Sequence, residues 1–123
     1  MTTRFKSQLR GHLAEEKALS YLSSKGLKLL ERNYRTRRGE IDIIMQDKDT
    51  TVFIEVRART HNDIVEALET IDRRKCTRII HASRHYLQKY QRTNKDICRF
   101  DVVILTGPLE SAKIEWIKNA FEA

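Results

Sequence analysis

Between Gly39 and Arg59 the sequence reads G-E-I-D-I-I-M-Q-D-K-D-T-T-V-F-I-E-V-R-A-R, and this stretch constrains the fold more than any other. Two runs rich in Ile, Val and Phe flank a polar break at Asp47, Lys48, Asp49 and Thr50, the pattern of two strands joined by a tight hairpin. Side chains alternate faces along a strand. Alternation predicts Glu40, Asp42, Ile44 and Gln46 on one face of the first strand, with Ile41, Ile43 and Met45 on the other. In the second strand Phe53, Glu55 and Arg57 oppose Val52, Ile54 and Val56. A two-residue loop at Lys48 and Asp49 pairs position 47 with 50, which carries the ladder on to Asp42 opposite Glu55 and Glu40 opposite Arg57.

Two carboxylates directly across a strand pair repel unless something compensates. A divalent cation is one compensation. Magnesium takes hard oxygen ligands and often only one or two carboxylates, with water and substrate phosphate filling the shell. The other reading is a polar, solvated sheet face on which Glu40 pairs with Arg57 and one carboxyl takes up a proton. Either way, an even-numbered loop is expected to set Asp42 and Glu55 facing each other on the side covered by the first helix, whereas a three-residue loop would separate them.

The chain of 123 residues is expected to form a single domain, 1–123, with a core of its own. No apolar segment has the length of a signal peptide or a membrane span, so a cytoplasmic protein without membrane association is expected. Cys76 and Cys98 then read as reduced thiols, with no C-x-x-C spacing for zinc or redox work. Twenty-four Lys and Arg against seventeen Asp and Glu give a formal charge of +7, a balance that favours polyanionic partners held through phosphate contacts.

A first helix is expected to run to about Lys25, capped by Thr2 or Thr3 and stopped by Gly26, with Phe5, Leu9, Leu13, Ala14, Ala18, Tyr21 and Leu22 on its apolar face. Glu15 and Glu16 are adjacent and point about 100° apart, so one of them can face the sheet. Leu27 to Tyr34 reads as a strand, followed by a basic turn into the hairpin. Arg32, Arg35, Arg37 and Arg38 are candidates for positioning phosphate, or else line a solvated loop. After Arg59 come a short helix at Ile64 to Glu69 and a longer one from about Asp72 to Gln91, burying Ile79, Ile80, Ala82, Ser83, Tyr86 and Leu87. Its basic first turns, with Arg73, Arg74, Lys75 and Arg78, oppose the helix dipole and hint at a phosphate partner. His81 and His85 lie four apart but lack a third metal ligand. Arg99 to Leu105 reads as a buried strand whose Asp101 needs a partner, Arg99 or an amide at a helix end. Gly107 and Pro108 turn the chain into a last strand at Lys113 to Ile117, and Trp116 and Phe121 read as core or edge packing. The expected class is α/β, a mixed sheet flanked by helices, in the order α-β-β-β-α-β-β.

Taken together, Gly11 and Glu15 in the first helix, R-N-Y-R at Arg32 to Arg35, G-E-I-D at Gly39 to Asp42, F-I-E-V-R-x-R at Phe53 to Arg59, Lys75, and R-F-D-V-V at Arg99 to Val103 resemble the YraN-like uncharacterised bacterial protein family. The resemblance spans nearly the whole chain. That family is similar to the restriction-endonuclease-like PD-(D/E)XK nucleases, with the archaeal Holliday-junction resolvases as its nearest analogues. The resemblance implies a restriction-endonuclease-like core and a metal-dependent DNA endonuclease acting on branched or repair intermediates, or else a non-catalytic nucleic-acid-binding or partner-binding module on the same fold. It puts Asp42 and Glu55, with the carbonyl of Val56, around Mg2+, for which Mn2+ would substitute. Glu15 matches the helical Glu of the resolvase branch, and Arg57 stands where the superfamily has lysine. Arginine supplies charge and a phosphate grip but is a poor base. Lys75 is a candidate to reach in from its helix, and Arg35, Arg37, Arg38, Arg59 and Lys75 are the expected DNA contacts. Symmetric cleavage of a junction would call for a homodimer.

Overall fold

The computed structural model describes residues 3–60, 64–90 and 97–123, with the backbone alone at residues 3–5 and Ser7. In chain order the elements are α1 (Thr3–Ser24), β1 (Lys28–Thr36), β2 (Gly39–Asp47), β3 (Thr50–Arg59), α2 (Ile64–Glu69), α3 (Arg73–Lys89), β4 (Ile97–Thr106), a 3-10 turn (Leu109–Ser111) and β5 (Lys113–Phe121). The strands form one sheet in the order β1-β2-β3-β4-β5. Neighbours are antiparallel except β3 and β4, which run parallel. A parallel pair needs a long crossover, and α2 and α3 lie within it. The architecture is the expected mixed α/β sheet with helices on both faces.

On one face Ala14, Ala18 and Leu22 of α1 pack against Ile43, Met45, Val52, Ile54, Val103 and Leu105. On the other, Ile79, Ala82 and Tyr86 of α3 meet Tyr34, Ile41, Ile44, Phe53 and Phe100. Ala67 of α2, with Ile71, covers Val102 and Ile104 beside them. Gly26 ends α1 in the left-handed region at φ 98°, where a side chain would be strained. Asp72 caps α3, its Oδ1 accepting from the Lys75 amide at 2.9 Å. Trp116 and Phe121 pack against the core as expected, Phe121 stacking on Phe100. No helix among the described residues is long and apolar enough to cross a membrane.

Several expectations change. Thr2 lies outside the described residues, as do the side chains of Thr3 and Phe5 to which capping and packing were given. Leu9 and Leu13 are exposed, at 45% and 44%. The buried stripe repeats every fourth residue, and at 100° per residue Leu13 and Leu9 sit about 140° and 180° from its centre. They border a shallow groove with Leu109 instead. Strand β1 continues through Thr36, and β5 runs on to Phe121. The two-residue hairpin loop is as expected, with Asp47 opposite Thr50 and Lys48 at φ 57°.

Strict alternation along β2 fails at Asp42. Ile43 belongs to the α1 side, but Ile41 joins the α3 side with Ile44 and Phe53. On β1, Ile43 is opposite Arg32 and Ile41 opposite Tyr34. Between them Asn33 adopts φ 51°, a left-handed conformation that asparagine tolerates better than most residues. Both strands therefore slip faces around the Asn33 and Asp42 positions.

Candidate active site

The slip coincides with a parting of the sheet. The β2–β3 ladder runs from Asp47↔Thr50 to Ile43↔Ile54 and stops. Beyond it β2 stays on β1 as far as Gly39, while β3 stays on β4 as far as Arg59. Where the strands diverge, Asp42 replaces a ladder bond with a side-chain one: its Oδ2 accepts from the Val56 amide at 2.8 Å. Asp42 and Glu55 are thus brought together, as the register implied, but across a split rather than a flat pair.

Glu55 alternates with Phe53 and is only 5% exposed. Its Oε2 lies 3.2 Å from an Arg57 guanidinium nitrogen and 3.4 Å from Lys75 Nζ, the latter from the first turn of α3. The expected location beneath α1 is therefore wrong for Glu55. Its alternation with Phe53 and its contact with Lys75 put it on the α3 side. The expected Glu40–Arg57 pair is also absent, because the strands have parted before those positions. Glu40 pairs with Arg35 at 3.3 Å, and Arg57 with Glu55.

Burial, reinforced by the hydrogen bond and charge of Asp42, pushes the Glu55 carboxyl up to about 9 despite Lys75 and Arg57. Glu15 enters from α1. Burial first, then the charge of Asp42, raise its carboxyl to about 7, while Arg32 and a hydrogen bond with Asn33 pull it down. Its neighbour Glu16 is held by Arg32 instead. Adjacent glutamates have divided as helix geometry requires, one to the carboxylate cluster and one to an ion pair.

Among the described residues, buried Glu15 Oε1, Glu55 Oε2 and Arg57 Nε have no hydrogen-bond partner. Native proteins seldom leave such atoms, and each costs about 1–3 kcal/mol in desolvation. Two carboxyls with raised proton affinity and an open oxygen suit a hard divalent cation. No group of three His, Cys, Asp or Glu side chains among the described residues forms a metal cage. Magnesium needs none, since one or two carboxylates suffice. Asp42 and Glu55 fit that demand, and Val56 is fixed beside them through its amide.

Arg59 follows Arg57 on β3, half-buried. Arg35, Arg37 and Arg38 are not gathered at the carboxylates. They surround the β1–β2 turn over α3. His81 and His85 hold no third metal ligand, and His85 Nδ1 instead meets the Tyr34 hydroxyl at 2.5 Å. Both cysteines are free thiols, raised by burial. Asn33 was missed by sequence reasoning. Its signal was an Asn inside an otherwise regular strand, a residue type enriched at positive φ.

The sequence model described as "Uncharacterised protein family UPF0102" matches residues 14–105, which include every element of this cluster. The chain belongs to this family. A UPF0102 protein of Stutzerimonas stutzeri (strain A1501) is 49% identical over 117 residues, covering 95% of this chain and 98% of the relative. One from Pseudomonas putida (strain W619) is 47% identical over 113 residues, 91% of this chain and 92% of its own. Another, from Pseudomonas aeruginosa (strain LESB58), is 46% identical over 125 residues and covers both chains fully. The UPF0102 match thus takes in Glu15, Asp42, Glu55, Arg57 and Lys75 in one span.

Proposed function

We propose that this UPF0102 chain is a magnesium-dependent DNA endonuclease that hydrolyses phosphodiester bonds, with manganese able to substitute, acting on branched or repair intermediates. The observation that carries the reading is the buried Glu55, with Asp42 bonded beside it, Lys75 and Arg57 at 3.4 and 3.2 Å, and an oxygen left without a hydrogen bond. Asp42 and Glu55, with the Val56 carbonyl implied by resemblance, would hold the cation. When bound, the cation lowers the pKa of water and stabilises charge on phosphate oxygens.

The chain's own groups do the rest. Burial and the neighbouring Asp42 favour the protonated form of Glu55, so a cation held there would require that proton to leave. Lys75 and Arg57, which flank Glu55 at 3.4 and 3.2 Å, are placed to hold the phosphate, Arg57 through its two-pronged guanidinium. Glu15, with a carboxyl near 7, has a proton affinity suited to taking a proton from the attacking water on its open Oε1. On this reading the base is Glu15 rather than Arg57. Symmetric cleavage of a four-way junction would use two copies of the chain, one for each strand.

One observation favours the alternative, a nucleic-acid-binding module without turnover: Lys75 and Arg57 already compensate Glu55 without a metal. Incubation with fluorescent linear, flap and four-way DNA in magnesium or manganese decides between them. Cleavage is expected for the native chain and none for Asp42→Ala. Binding without cleavage, under either metal and on every substrate, would leave the non-catalytic module.

A further inference from the structure

The β1–β2 turn does not end in solvent. A Cβ at Gly39 would collide with the Arg78 carbonyl, so the glycine lets the turn sit directly on α3. Between turn and helix lies an open groove of about 440 Å3, lined by Arg35, Arg37, Arg38, His81, Arg84 and His85. Arg35 is held by Glu40. Among the described residues, Arg37, Arg38 and Arg84 have no carboxylate partner. Guanidiniums converging without acid repel one another, and a phosphate is the ligand their planar donors suit. With His85 Nδ1 engaged by Tyr34, its Nε2 is the nitrogen left for a ligand.

The groove lies on the same helix as Lys75. At 1.5 Å per residue, His81 and His85 stand about 9 and 15 Å along α3 from Lys75.

We propose that this groove is a second phosphate seat, holding the DNA backbone on the same helix that brings Lys75 to the carboxylate cleft. In function it would set the position of the bond that enters the cleft. This assignment of a cut position rests on the endonuclease reading, whereas the anion seat itself does not.

The test measures binding of a fluorescein-labelled DNA duplex without metal, in EDTA, across a salt series. The variants are Arg37→Ala with Arg84→Ala, the same pair changed to lysine, and Lys118→Ala on β5 as a distant control. These side chains are exposed, and circular dichroism and melting confirm folding. The alanine pair is expected to weaken binding roughly five- to tenfold per lost contact at 0.1 M salt and to reduce the slope of log K against log salt by about two. The lysine pair is expected to keep most of the slope, and the control to change neither quantity. A native slope and affinity in the alanine pair would overturn the seat, as would an equal loss in the control. Groove-dependent binding with no cleavage in magnesium would retain the seat and end the endonuclease reading. Cleavage with groove-independent binding would do the reverse.

Discussion

Two buried carboxylates sit on adjacent strands of this sheet, and they are treated in opposite ways. Asp101 on β4 is 0% exposed, and both of its oxygens are engaged. They accept from Arg99 Nε at 3.1 and 3.2 Å, from Trp116 Nε1 at 2.9 Å and from the Asn119 amide at 2.9 Å. Arg99 also reaches Asp47 at 2.9 Å, tying the β2–β3 hairpin to β4. Glu55 on β3 is nearly as buried, yet its Oε2 has two cations at ion-pair distance and no hydrogen bond. Asp101 holds a register change in β5, where the pairing shifts between Phe100 and Val102 and Asn119 takes φ 53°. A carboxylate that fixes the fold has its lone pairs filled by the fold. Glu55 has an oxygen left over, which the proposed function gives to a cation.

The largest effect that would break this contrast is on stability. Asp101→Ala leaves the half-buried Arg99 guanidinium with Asp47 alone, and an indole N–H and a strand amide without their acceptor, and is expected to cost about 3–5 kcal/mol. Asp101→Asn, which keeps an acceptor, is expected to lose less. Glu55→Gln replaces a carboxyl that burial already keeps protonated near neutral pH, so its stability is expected to match or exceed that of the native chain. Urea denaturation at pH 7 measures all three. Similar losses for Asp101→Ala and Glu55→Gln would mean that both carboxylates serve the fold.

A second effect is on rate. The cation beside Asp101 serves stability, whereas those beside Glu55 are assigned to phosphate. Arg57→Ala and Lys75→Ala are each expected to slow cleavage about 100- to 1000-fold, the range for removing one preorganised charge donor. Arg57→Lys is expected to keep measurable cleavage, since it retains the charge. Because both groups act on one carboxyl and one phosphate, the double alanine variant is expected to fall short of the product of the single effects. Single-turnover cleavage assays give these rates. An Arg57→Ala rate equal to the native one under matched metal would remove Arg57 from the site.

The sequence carried the hairpin and its loop because apolar alternation, a four-residue polar break and a buried face all specify one register. It carried the helix termini for similar local reasons: Gly26 supplies a positive φ and Asp72 an N-terminal cap. It did not carry the face slip. Alternation is a rule for regular strands, and the departure occurs at positive-φ Asn33, between the Arg32↔Ile43 and Tyr34↔Ile41 pairs of two different strands. The divergence of β2 from β3 was also hidden, so the extrapolated Glu40–Arg57 pair was wrong while the meeting of Asp42 with Glu55 was right. Asp101's link to Arg99 was legible at two residues' separation. The amide it accepts was not, because that amide comes from an irregular point in β5 rather than from a helix end. Lys75 was a candidate in the sequence, but only the packing of α3 brought it to Glu55.

The smallest effect sharpens the contrast through pH and metal together. Glu55 and Glu15 are raised from an ordinary 4.5 to about 9 and about 7. Between those values the folded chain binds more protons than the unfolded chain, so stability falls as pH rises. The stabilising contribution is complete below 4.5, is lost for Glu15 as pH passes about 7, and is lost for Glu55 as it passes about 9. Glu55→Gln is expected to flatten the upper part of this decline. Magnesium acts in the opposite direction because it requires ionised carboxylates. At a concentration about ten times its Kd it would add about 1.4 kcal/mol, a rise of a few degrees in Tm. That rise is expected to grow from pH 6 to pH 9 in the native chain and to vanish in Asp42→Ala. A melting series at fixed ionic strength, with calcium and EDTA arms, separates site binding from general screening. A magnesium response independent of pH, or one retained in Asp42→Ala, would show that the ion acts elsewhere and that Glu55's open oxygen is not its ligand.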